Sequence, residues 1–294
     1  MLKVENRRLL ADYTSFKIGG PVSCWLELDD LEGVLEAVSI AEKDKKPLII
    51  IGKGNNILAQ DTGFDGVLIN LGRGFDYIEE EDSGVLRVGA ATSISAFINR
   101  SAGLGLSGCE FLSGIPCSIG GAIFMNAGVR DIDDSSRFNE IKDVIIEVQI
   151  LDLKNKKIEV LNRDDISFSY RSSGLDGKCI LTARIRSRKA EKTTIKKRTD
   201  SFMKRREWIQ KLGFPTAGSV FKNPDSENPA GRLIEACGLK GMRIGGAEIS
   251  KIHANFIVNT GGAMARDVLE LIELARTSVR NKFGIDLELE LRII

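Results

Sequence analysis

Apolar residues at Leu31, Val34, Leu35, Val38 and Ala41 follow the spacing of one helix face and predict a helix over Asp30–Glu42, with Asp29 or Asp30 as its cap. The first unit is read as β-α-β around that helix, with the β-branched run Leu48–Ile51 as a buried strand; a further strand signal falls at Val67–Asn70. Ile94–Ala102 repeats the helical spacing between a Thr92 or Ser93 cap and a Gly103 stop. Val144–Asp152 and Lys157–Leu161 read as strands joined by a Lys-Asn turn, and Cys179–Arg188 as a third, which predicts antiparallel sheet. From Ser187 to Glu207 Lys and Arg crowd out large apolar residues, the pattern of a linker entering a solvated helix. Further on, Asn228 and Pro229 open a helix that Gly238 closes, and His253–Asn259 reads as a strand. Met264–Phe283 carries Val268, Leu271, Ile272, Ala275 and Val279 along one helical side. Leu287–Ile294 reads as a last strand, with Glu288, Glu290 and Arg292 on one face.

Two glycine-rich stretches interrupt this pattern. Phe111–Gly128 (FLSGIPCSIGGAIFMNAG) threads Gly114, Gly120, Gly121 and Gly128 through apolar residues with almost no charge. Glycine permits backbone conformations and approaches that a Cβ blocks, so Gly114, Gly120 and Gly121 are read as offering amides to a large, flat or anionic ligand. A turn between two buried strands is the competing reading of the same residues. The second stretch, GKGNNIL (Gly52–Leu58), follows the strand Leu48–Ile51 and suggests phosphate binding. It is not a Rossmann fingerprint, because a strand signal returns at Val67 with no long helix between. This loop is expected to bind through its amides and the side chains of Asn55 and Asn56.

Composition narrows the partners. The 294 residues predict two domains, and 43% hydrophobic with 28% charged residues is ordinary for a globular protein. A formal net charge of +1 gives no electrostatic case for nucleic acid or a membrane surface, which leaves small molecules. The opening MLKVENRRLL lacks a signal-peptide apolar region and no run reaches the roughly 20 apolar residues of a membrane span, so a cytoplasmic protein is expected. Cys24, Cys109, Cys117, Cys179 and Cys237 are scattered without a CxxC pair, which predicts no disulfide and no zinc. The only histidine, His253, adjoins an apolar strand and is read as structural or as positioning a neighbour. Proton transfer then falls to Ser, Glu, Asp, Lys, Cys or Tyr.

Eight islands carry a resemblance. YTSFKIGGP (Tyr13–Pro21), GKGNNIL, GCEFLSGIPCSIGGAIFMNAG (Gly108–Gly128), SYRSS (Ser169–Ser173), AGSVFKNP (Ala217–Pro224), AGRLIEACGLKG (Ala230–Gly241), HANFIVN and LELELR (Leu287–Arg292) occur in one order over nearly the whole chain. Together they resemble the UDP-N-acetylenolpyruvoylglucosamine reductase family of peptidoglycan synthesis, in a short form without the tyrosine loop, since no tyrosine follows Tyr170. The resemblance implies an α+β fold. An FAD-binding region of the vanillyl-alcohol oxidase (PCMH) type would occupy 1–190, with subdomains of about 1–56 and 57–190, and a smaller α/β substrate-binding domain would occupy 200–294 with the catalytic strand at its end.

It further implies FAD and NADPH as cofactors, a UDP-sugar as substrate and a monomer. On this resemblance NADPH would reduce the flavin, and hydride would then pass to an enolpyruvyl methylene. Ser219 would be the general acid, Arg171 the fork on the substrate carboxylate, and Glu290 a group polarising that carboxylate. The cofactor positions would be Gly52, Lys53, Gly54, Asn55, Asn56 and Ile57 in one loop, and Ser113, Gly114, Ile115, Pro116, Ser118, Gly120, Gly121, Asn126 and Gly128 in the other. Tyr170, Lys222, Asn223 and Asn255 would bind substrate, with Lys204, Arg205 and Arg206 as candidates for the diphosphate. Cys117 and Ser118 stand where the family has glycine and threonine, and Val129–Phe138 reads as a surface excursion. The alternatives are an FAD-dependent oxidase of the same superfamily and a non-catalytic flavin or nucleotide-sugar binder.

Overall fold

A computed structural model describes residues 4–5, 8–81, 84–134, 136–210 and 212–294. They form two compact units that do not follow the linear order of the chain. One contains Leu26–Gly52 and Val67–Arg206; the other contains Val4–Trp25, Lys53–Gly66 and Glu207–Ile294. The linear reading put 1–190 in one region and 200–294 in the other. The difference has an apolar cause: Phe16, Ile18 and Leu58 are buried in the same core as Leu233, Val268 and Leu291, so two early segments complete the second unit.

In the first unit the helix Leu31–Lys43 buries Val34, Ala37, Val38 and Ala41, and the Asp30 carboxylate accepts from Gly33 N at its start. Leu48–Ile51 pairs in parallel with Phe64–Leu71, from Leu48 opposite Val67 to Ile51 opposite Asn70, and that strand separates it from Val22–Leu28, the strand before the helix. A five-stranded antiparallel sheet runs in the order Lys157–Asn162, Ile145–Asp152, Lys178–Arg186, Val85–Gly89 and Ile78–Glu80. Its Leu86, Val88, Val148, Ile150 and Ala183 are buried with Phe97, Ile98, Ile119 and Ile123 of two helices, Ile94–Gly103 and Ile119–Phe124. The helix Lys192–Gln210 is highly charged, yet it buries Ile195 and Phe202, seven residues and two turns apart. That pair converts the expected solvated helix into one with a packed stripe.

In the second unit a three-stranded antiparallel sheet joins Arg243–Ile244, Ala247–Ile249 and Ile257–Asn259. The helix Ala265–Phe283 buries Val268, Leu271, Ile272, Ala275 and Val279, the side its spacing predicts, and stops at Gly284 in the left-handed region with φ 68°. The final strand is shorter than the alternation suggests. Only Arg292–Ile293 forms a ladder, parallel to Ile57–Leu58, while Leu289 bridges Phe221. Between these pairings the Val220 carbonyl accepts from both Glu290 N and Leu291 N, at 2.9 and 3.3 Å, which offsets the register. Among the described residues no helix is long and apolar enough to cross a membrane.

Candidate active site

The glycine stretch of the first unit folds into a capped helix rather than an open cradle. Ser118 accepts from Gly121 N and starts the helix Ile119–Phe124. Ile119 N and Gly120 N donate to the carbonyls of Thr92 and Ala90, at 2.8 and 2.9 Å. The amides of Gly120 and Gly121 are therefore used within the protein, which corrects the reading that they are free for a ligand. Gly120 is needed for packing: a Cβ there would sit 3.1 Å from the Ala90 methyl. Gly128 opens a hairpin in which Gly128–Arg130 pairs with Phe138–Glu140, and a Cβ at Gly128 would lie 2.4 Å from the Asn139 carbonyl. Val129–Phe138 is accordingly no loose excursion. Asp131 is buried, accepts from Asn139 Nδ2 at 2.6 Å and pairs with Arg198, which also bonds Asp133. Burial alone would raise the Asp131 carboxyl. The hydrogen bonds from Asn139, Asp133 N and Asp134 N, with the Arg198 charge, outweigh that and hold it below the usual carboxylate range.

Ser113 and Gly114 keep donor capacity for a ligand. The Ser113 hydroxyl is buried without a hydrogen-bond partner among the described residues, an arrangement that a bound polar group would relieve. Gly114 is exposed with φ 77°, next to exposed Pro116 and half-buried Ile115. Gly52 approaches the same turn so closely that a Cβ would lie 2.8 Å from Ser118 Oγ. Ser113–Gly128 in the first unit contains no Asp or Glu, nor does Lys53–Leu58 in the second, so each stretch by itself suits an anionic ligand such as FAD.

Asn126, placed among the cofactor residues by resemblance, has its side chain committed elsewhere. It is fully buried with φ 42°, and its Nδ2 donates to Glu140 Oε1 and to the Ser169 carbonyl, each at 2.9 Å, while Lys142 Nζ closes on Glu140 Oε2. This network fixes the turn that carries Tyr170 and Arg171. Ser169 and Ser172 exchange backbone hydrogen bonds around that turn, with Arg171 left-handed at φ 59°. The Arg171 guanidinium donates to the Gly128 carbonyl at 3.0 Å and faces the rings of Tyr170 and Phe138 at 5.1 and 5.6 Å. A planar guanidinium has the two-pronged donor shape that suits a carboxylate.

Cys117 sits in the same turn, with its thiol pushed up to about 12 by burial despite the nearby Arg206 charge. Burial likewise raises Cys109 and Cys179 to about 12. We expect these three thiols to resist iodoacetamide in the native protein at about pH 8, because only the thiolate reacts; rapid labelling of Cys117 on peptide mapping would refute its role as packing.

The second unit holds Lys53–Ile57, Ser219, Lys222, Asn223, Asn255 and Glu290. Ser219 bridges Phe256 on one side, and the next residue, Val220, accepts from Glu290 N on the other, so the serine and the glutamate lie on adjoining extended segments. Both are half-buried, and the Ser219 hydroxyl has no hydrogen-bond partner among the described residues. Lys222 Nζ pairs with Glu288 at 2.5 Å. Asn223 Oδ1 caps the helix Ala230–Ala236 by accepting from Ala230 N at 3.0 Å. Asn255 is buried and clamps the backbone of Phe221, accepting from its N–H and donating to its carbonyl at 3.0 and 2.8 Å. The structure thus gives Asn255 a positioning task in place of the substrate contact expected of it. Of the three candidate phosphate cations, in the first unit, Arg205 donates to the carbonyls of Arg130 and Asp131 and clasps the hairpin. Arg206 lies against Gly114, and Lys204 is exposed.

His253 Nδ1 accepts from Asn255 N at 3.2 Å, which requires the neutral ring. Burial, then the Lys240 charge, hold this imidazole below its usual 6.5. The unfolded chain therefore takes up a proton at a higher pH than the folded one, and stability present above 6.5 is lost as pH falls toward the folded value. Between about pH 7.5 and about pH 5 the Tm should fall with acid more steeply in the wild type than in His253→Gln; parallel curves would show that His253 does not contribute.

Sequence comparison assigns the chain to a family. A profile for an FAD binding domain matches residues 22–161, and one for the UDP-N-acetylenolpyruvoylglucosamine reductase C-terminal domain matches residues 210–294. The fold and the site therefore define a flavoprotein oxidoreductase. The chain is 38% identical over 295 aligned positions to a UDP-N-acetylenolpyruvoylglucosamine reductase of Bacillus velezensis, covering 99% of this chain and 94% of the relative. The Bacillus subtilis protein of that name is 39% identical over the same shares. The crystal structure of the reductase from Thermus caldophilus superposes with a TM-score of 0.83 at 35% identity, covering 100% of this chain and 99% of that one. The chain belongs to the UDP-N-acetylenolpyruvoylglucosamine reductase family.

Proposed function

We propose that the protein reduces UDP-N-acetylglucosamine enolpyruvate to UDP-N-acetylmuramate with NADPH, in the synthesis of peptidoglycan precursors. The observation that carries this reading is the Ser219 hydroxyl, without a hydrogen-bond partner among the described residues, on a segment whose next residue pairs with Glu290. In a chain whose only histidine is committed to Asn255, a serine and a carboxylate are the proton-handling groups at hand. FAD, when bound, would supply the chemistry that carries hydride from NADPH to the enolpyruvyl methylene. The adjacent carbon then carries negative charge shared with its carboxylate, and Ser219 delivers a proton to it. Arg171 forks onto that carboxylate, and its fixed guanidinium needs no reorganisation as charge builds. Glu290 helps to polarise the same group. Ser113, Gly114 and the loop Lys53–Ile57 hold the cofactor, and Arg206 is the cation assigned to the diphosphate.

The test is spectroscopic. Purified protein should be yellow, bleach anaerobically with NADPH, and regain its colour only when the enolpyruvyl UDP-sugar is added. Reoxidation by oxygen with an alcohol as the reductant, and none by the sugar, would replace this reading with an oxidase.

A further inference from the structure

The motif Tyr13–Pro21 and the glycine loop also contact the segments that carry Ser219 and Glu290. On one side of the loop Ser15 N donates to the Gly54 carbonyl at 3.1 Å, and Ser15 Oγ donates to the Thr216 carbonyl at 2.7 Å, three residues before Ser219. On the other side Asn56 Nδ2 donates to the Glu290 carbonyl at 3.0 Å, and the Asn56 carbonyl accepts from Arg292 N at 3.0 Å.

The second contact differs from its neighbours in kind. Leu289 is held by its bridge to Phe221, and Arg292 by its ladder with Ile57. Between them, where Val220 O accepts two amides and the register is offset, the Glu290 carbonyl is met by a side-chain amide. The placement of Glu290 therefore depends on the residue at position 56 and not on backbone pairing alone.

We propose that Asn56 is a positioning residue for Glu290, so that the loop assigned to the cofactor also sets the carboxylate of the reaction. The proposal rests on the function proposed above, in which Glu290 acts on the substrate. Replacing Asn56 by Ala leaves the Glu290 carbonyl without this donor, and Asp turns a carboxylate oxygen toward it, so both loosen the strand at Glu290. The backbone pairings of Ile57 and Arg292 remain in both variants.

The experiment compares wild type with Asn56→Ala and Asn56→Asp as full-length, FAD-loaded proteins. By hydrogen exchange and mass spectrometry, amides of the segment 288–292 should exchange about tenfold faster in both variants, with the strand Ile257–Asn259 unchanged. Measured per bound flavin, reoxidation by the enolpyruvyl UDP-sugar should slow about 10- to 100-fold more than bleaching by NADPH does, and its pH profile should shift. Unchanged exchange at 288–292 would overturn the proposal. So would loss of FAD with the strand intact, which would show that Asn56 serves only the cofactor. A wild-type enzyme that the sugar does not reoxidise would sink the proposed function instead, and the exchange measurement would still decide whether Asn56 holds Glu290.

Discussion

Ser219→Ala is expected to retain FAD and its bleaching by NADPH and to lose most of its reoxidation by the enolpyruvyl UDP-sugar, by about 10²- to 10⁴-fold. The serine hydroxyl has no hydrogen-bond partner among the described residues, and the backbone around it is fixed by Val220 N to Asn255 O at 2.9 Å and by the Phe256 bridge. Removing one oxygen should therefore leave the segment in place. In stopped flow the two half-reactions separate, since only the second needs a proton at carbon. A reoxidation rate within about threefold of wild type would show that the proton comes from elsewhere.

Arg171→Lys should also damage the second half-reaction, by about 10²- to 10³-fold, because a single ammonium cannot reproduce two parallel donors to a carboxylate. The structure adds a reason that charge conservation fails. The guanidinium is held by the Gly128 carbonyl and by two aromatic rings, a setting shaped for a flat cation. Arg171 also occupies the left-handed region, where a non-glycine residue costs about 1–2 kcal/mol, a strain that the Asn126 network must hold. Asn126→Ala should lower turnover through this turn while leaving FAD bound. An unchanged turnover number in Arg171→Lys would reduce Arg171 to a backbone support.

The helix Leu31–Lys43 and the long helix Ala265–Phe283 were legible because their apolar periodicity and end signals are local, Asp30 at one start and Gly284 at the other stop. The helix Ile119–Phe124 was hidden, since a six-residue segment with two glycines has too short a period to register. The role of Asn126 was hidden for another reason: its partners Glu140 and Ser169 lie 14 and 43 residues away, and no spacing rule links them. The same holds for Arg198 and Asp131, 67 positions apart, which turn an acidic and serine-rich stretch into an anchored hairpin. At the candidate site, residue types and motif order pointed to Ser219, Arg171 and Glu290. Which polar side chains face a ligand and which are spent on backbone, as with Asn255, follows only from the three-dimensional pairing.

The interleaved second unit has a consequence for how the protein is made. Phe16 meets Asn259 across 243 positions, and Gln60 N donates to the Ile294 carbonyl at 2.8 Å. While the chain is still on the ribosome, Phe16, Ile18 and Leu58 in the early segments Val4–Trp25 and Lys53–Gly66 lack their core partners until the segment from Glu207 onward has emerged. The other unit, Leu26–Gly52 and Val67–Arg206, can form first and must do so with these early strips of sequence still waiting. Translation pauses late in the message, or a chaperone that shields Phe16 and Ile18 in the interval, should therefore govern the yield of active enzyme more than any pause within the first half.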